Sequence, residues 1–136
     1  MSRKLLSLLF GVAVLVSAAP ALAHHSVSAE FDTTKPITFT GTVTGVNWGN
    51  PHIYTSIQTT DPATGKAVVY EVEGGAPNAL FRAGWRKDTL KIGESVSVSG
   101  MRAKNPDSMH VGQATITTTD GKKIFSGQNK DVAAAQ

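Results

Sequence analysis

Cysteine is absent from the 136 residues. That excludes disulfides, thiolate metal sites, thiol nucleophiles and covalent haem attachment, so the fold must be held by its own packing. Charge and aromatic content are also low, at 17% and 7% of residues. No strand interleaves basic with aromatic residues, which counts against a nucleic-acid surface. The chain also lacks a G-x-S-x-G, a Walker A loop, a dinucleotide fingerprint and an H-E-x-x-H. Without any of these signatures, the expectation is a non-catalytic protein.

Long apolar runs are missing except at the start. Arg3 and Lys4 precede Leu5 to Val16, which is apolar apart from Ser7 and Gly11, and Ala21-Leu22-Ala23 places small residues around a cleavage point. A basic start, about a dozen apolar residues and an A-x-A site mark a secretory signal peptide. The run is short of the roughly 20 residues a membrane-spanning helix needs. Residues 1–23 are therefore expected to be removed, giving a periplasmic or secreted protein with no membrane insertion. Cleavage after Ala23 leaves 113 of the 136 residues, enough for one domain. Arg3 and Lys4 leave with the leader, so 11 basic side chains face 10 acidic ones. His24 becomes the first residue, a free α-amine beside two imidazoles.

Residues 24–35 show little periodicity and read as an N-terminal arm, with Phe31 as its anchor. Ile37 to Trp48 carries the strongest strand signal: Ile37, Phe39, Gly41 and Val43 alternate with threonines. After Gly45 the phase slips, since Val46 and Trp48 continue the apolar face, and one extra residue at a glycine predicts a β-bulge. Asn50-Pro51 marks a turn. The second strand, His52 to Thr59, sets Ile53, Thr55 and Ile57 against His52, Tyr54 and Ser56. Asp61 to Gly65 is a hairpin loop leading to a third strand, Lys66 to Glu73. Pro77 to Ala83 reads as a short helix with Gly84 behind it. Trp85, Leu90 and Ile92 then serve as apolar anchors in a connection. Strands follow at Ser95 to Met101 and Met109 to Thr118, with a last short one ending at Phe125. Residues 126–136 read as a disordered tail. Three strands, a helix and then two or three strands is the element order of a small OB-fold-like β-barrel over residues 36–125, all-β with one short helix. A small β-sandwich is the competing arrangement.

Several motifs occur together: Ala23-His24-His25-Ser26, Phe31-Asp32, Thr40-Gly41-Thr42-Val43, Asn50-Pro51-His52, Glu71-Val72-Glu73-Gly74-Gly75, Asn78-Ala79-Leu80 and Ala83-Gly84-Trp85. In this set the chain resembles a family of small exported bacterial proteins known only as a domain of unknown function. The resemblance runs from His24 to about Phe125 and implies export and a single domain, with no activity to carry over. A looser likeness, to exported bacterial OB-fold proteins of the stress-associated kind, rests on element order alone.

Four residue groups could carry chemistry. The terminal amine and imidazole of His24, with a further nitrogen from His52 or His110, would form a nitrogen-rich set suited to Cu(II). It resembles a histidine brace in ligand type. His25 offers a local mode through the amine and a backbone amide, and a solvated arm is the plain alternative. His52 opens the second strand behind Asn50-Pro51, where Trp48, Asn50, His52, Glu73, Asn78 and Trp85 could line a ligand pocket. The plain alternative there is a turn histidine bonded to backbone. Met101, Met109 and His110 combine thioether with imidazole, but Met109 and His110 point to opposite faces. Glu71 and Glu73 share a strand face about 7 Å apart, and as a solvated pair they would meet Arg82 and Arg86. The resulting expectation is a binding or accessory module holding a divalent metal, copper first, through His24, His25, His52 and His110. The alternative is a metal-free periplasmic interaction domain that takes a small ligand or partner protein through its barrel loops.

Overall fold

The computed structural model describes residues 27–124. His24, His25, Phe125, the expected leader and the expected tail lie outside the described residues. The elements are α1 (Val27–Glu30), β1 (Phe31–Asn47), β2 (Tyr54–Thr60), β3 (Ala67–Glu73), α2 (Pro77–Arg82), β4 (Ser95–Ala103), β5 (His110–Thr118) and β6 (Lys123–Ile124).

β1 is the hinge of the architecture. Its first half pairs antiparallel with β4 and its second half with β2, Thr42 facing both Ser95 and Gln58. A strand shared in this way has to bend. The bend is a bulge between Val43 and Gly45, where Val43 faces Ile57 and Gly45 already faces Ser56. The phase slip in the sequence is therefore a real structural feature. β2 pairs with β3, β4 with β5, and β3 with the start of β5 in parallel. That last pairing closes the ring and makes the molecule an OB-like barrel. A sandwich would leave two open sheets, and the closure excludes it.

Strand alternation fills the interior. Val43, Ile53, Ile57, Val72, Val96, Val98, Val111 and Ile116 are each no more than 2% exposed. Burying each such side chain contributes on the order of 1.5–3 kcal/mol. The α2 end is capped by Leu80 and Pro77, both buried. Pro77 takes the first turn, where its missing N–H costs nothing, and Gly84 adopts φ +89° behind the helix. The helix ends in a Schellman pattern, with Trp85 N–H donating to the Leu80 carbonyl at 2.9 Å and Gly84 N–H to that of Phe81 at 3.1 Å.

Two features depart from the sequence pattern. β1 begins at Phe31, not Ile37, so residues 31–35 belong to the strand. The cause is tertiary: Phe31 pairs with Ala103, is 3% exposed and packs where Gly112 has no side chain. Ile92 is not an anchor, being 74% exposed. It sits on a tight turn in which Glu94 N–H donates to the Lys91 carbonyl, whereas Leu90 is buried and Trp85 packs against the core.

Candidate functional site

Alternation places His52 and Tyr54 on the outer face of the barrel, since Ile53 and Thr55 are buried. Gly74 N–H donates to the Ile53 carbonyl, and Ile53 N–H to that of Gly75. This extends the β2–β3 ladder past Tyr54 and sets His52 beside Glu73. His52 Nδ1 and Glu73 Oε1 are in close contact, with side chains 39% and 16% exposed.

A second pair lies on the same face. Lys104 N–H donates to the Glu30 carbonyl at 2.9 Å, and the buried ring of Phe31 fixes the chain there. Glu30 is thereby brought to the start of β5, where its Oε1 lies 3.3 Å from His110 Nδ1. The rings of Tyr54 and His110 are 5.8 Å apart, so Tyr54 bridges the two pairs.

The charges on this face are coupled. Burial pushes the Glu73 carboxyl above the ordinary glutamate range; the His52 imidazole opposes the shift and the charge of Glu30 adds to it. Burial also raises the Tyr54 hydroxyl, with Glu73 and Glu30 adding to the effect. An ionised carboxylate can only accept, so a histidine facing one through Nδ1 donates from that atom.

Among the described residues, the expected pocket residues are placed in different surroundings. His52 and Glu73 meet, but Trp48 and Trp85 pack against the hydrophobic core and Asn50 and Asn78 are exposed. His52 also departs from a turn histidine bonded to backbone, because its partner is a side chain. Nor does Arg86 meet Glu71 or Glu73. It donates to the carbonyls of Phe81 and Trp85 and stacks over the Phe81 ring at 3.9 Å. Met109 and His110 diverge as adjacent residues must, with Met109 37% exposed. Among the described residues, no three His, Asp or Glu side chains group closely enough to hold a metal by themselves. Glu30 is the member that sequence reasoning missed, because nothing local ties it to a histidine 80 positions away.

With this geometry, the comparison with known proteins yields one match, to a family of unknown function whose sequence pattern covers residues 12–112. The chain belongs to the DUF6152 family. No curated protein and no solved structure matches it. Membership of DUF6152 agrees with the resemblance drawn from the motifs and adds no activity to it.

Proposed function

We propose that this DUF6152 chain is an exported, non-catalytic binding protein that holds a divalent transition-metal ion, copper first, through histidine nitrogens. One observation carries the reading: His52 and His110 each turn Nδ1 to a glutamate on the same outer face. A carboxylate in that position fixes the tautomer, raises the basicity of the ring and leaves Nε2 free, which is the usual support of a metal-binding histidine.

Two imidazoles supply two nitrogens, so the remaining donors come from the processed N-terminus. His24 contributes amine and imidazole. It lies six residues before Glu30; α1 (Val27–Glu30) rises only about 1.5 Å per residue, and each residue before it can add up to about 3.5 Å. Glu30 is held against His110, so His110 is the favoured outer nitrogen and His52 the second. The planar nitrogen set suits Cu(II) among common divalent ions. His25 serves only the local mode through the backbone amide.

Calorimetric titration with Cu(II) of the protein isolated after export tests this. One residue added before His24 should abolish binding through the brace, and His110→Ala should weaken it at least tenfold. His25→Ala should change it little. Affinity should also fall as pH is lowered, because protons compete with the metal for the nitrogen donors. No binding in the parent, or unchanged binding in the extended and His110→Ala forms, would overturn the reading.

A further inference from the structure

Among the described residues, α2 covers one end of the barrel. At the other ends of β2 and β3, away from His52 and Glu73, a groove of about 550 Å³ opens between β1, β2, β3 and β4. Its floor is apolar and aromatic. Ile37, Phe39, Val68 and Tyr70 are half-buried there, and the Phe39 and Tyr70 rings lie 4.7 Å apart at 35°. The size falls within the range of small-molecule sites, which combine apolar walls with a few placed polar groups.

Threonines and Asp61 share the lining, and Arg102 is its one cationic side chain among the described residues. Val96, Val98 and Gly100 alternate inward along β4, and Arg102 continues that parity into the groove, half-buried. Gly100 could not carry a side chain there, since a Cβ would stand 2.7 Å from Val111. Among the described residues, no salt bridge engages the Arg102 guanidinium. Asp61 at the rim is committed to its own hairpin loop, where its carboxylate accepts from Ala63 N–H and from the Thr64 hydroxyl at 2.9 Å each. The charges of Asp61 and Arg102 attract across the groove without closing into a salt bridge. The half-buried guanidinium therefore keeps donors for a ligand beside the tilted aromatic pair, which complements one ligand chemistry. The planar fork binds a carboxylate through two parallel N–H donors, and the rings receive a flat apolar body.

We propose that this groove binds a small planar aromatic carboxylate, its ring against Phe39 and Tyr70 and its carboxylate on Arg102. The site is independent of the histidine face, so the copper reading can fail without affecting it.

The test uses 2-naphthoate as probe on the exported protein, with binding followed by calorimetry and located by backbone amide NMR shifts. Shifts should centre on residues 37–40, 68–70 and 102. The uncharged 2-naphthamide should bind at least tenfold more weakly than the acid. Arg102→Gln should lose a similar factor while keeping the parent melting temperature, and Tyr70→Leu should weaken both probes alike. The amide comparison needs no substitution, so it decides the matter even if a variant fails to fold. Equal affinity for acid and amide, shifts centred elsewhere, or no binding by the folded parent would overturn the proposal.

Discussion

The Nδ1 atom of His110 lies 3.3 Å from Oε1 of Glu30, across 80 positions of sequence. The contact depends on the next residue, Phe31, whose buried ring occupies the space that the missing side chain of Gly112 leaves. Phe31→Ala should cost about 3–5 kcal/mol by urea denaturation and should release Glu30, shifting the His110 ring signals in NMR. Gly112→Ala forces a carbon into the Phe31 ring and should cost about 1–3 kcal/mol. In the double variant the two losses should fall short of their sum, because the smaller side chain makes room for the added methyl. Strict additivity would show that the ring does not sit against Gly112.

The charge on Glu73 should make stability depend on pH in a stated direction. Burial raises its carboxyl above the ordinary range against the pull of His52. Between the ordinary and the raised value the folded chain binds more protons than the unfolded one. This group's contribution to stability therefore falls as pH rises through its folded pKa. Glu73→Gln keeps an oxygen that can accept from His52 but carries no charge. It should be more stable than the parent at pH 7, with the advantage shrinking as pH falls toward 4. Urea unfolding at three pH values checks this. A less stable variant at pH 7 would mean that attraction to His52 outweighs the cost of burying the charge.

Strand phase in β1 can be tested at neighbouring positions. Val43 is fully buried and Thr42 exposed. A carboxylate at Val43 has no partner in the core, so Val43→Asp should cost more than about 3 kcal/mol and unfold the domain. Thr42→Asp should change stability by less than about 1 kcal/mol. Thermal melts of both variants suffice, and equal damage would place the wrong face inside.

Gln113 holds φ at +48° where β5 bulges between its pairings with Ser99 and Met101. A side chain in the left-handed region costs about 1–2 kcal/mol. Glycine removes that strain but loses more entropy on folding. Gln113→Gly should therefore stabilise by up to about 1 kcal/mol, whereas Gln113→Val should destabilise by more than that. Melting temperatures of the two variants should move in opposite directions.

Processing is checked by the intact mass of exported protein, which should correspond to a chain beginning at His24. Ala19-Pro20-Ala21 offers a second set of small residues. A chain beginning at Leu22 would take the free amine from His24 and end the brace form of the copper proposal.

Much of the barrel was legible because its signals are local. Alternation put Val43 on the apolar face of β1 and Ile53 with Ile57 on one face of β2, since strand side chains alternate whatever the strand pairs with. Pro77 and Gly84 bracketed α2 because fixed φ and positive φ are backbone properties of single residues. The slip after Gly45 was visible because a bulge changes the parity of the apolar face. What stayed hidden was long-range. Residues 31–35 have no alternation of their own and become strand only because β4 and the Gly112 gap receive them. Trp48 and Trp85 are equally plausible in sequence as pocket walls or as packing, and the core claimed both. The pairing of His52 with Glu73 follows from strand register, and that of His110 with Glu30 from the docking of Phe31 against Gly112. Local sequence thus determined the elements and their faces. Only the tertiary structure decided which charged side chains share a face, because contacts between distant residues depend on where strands are brought together.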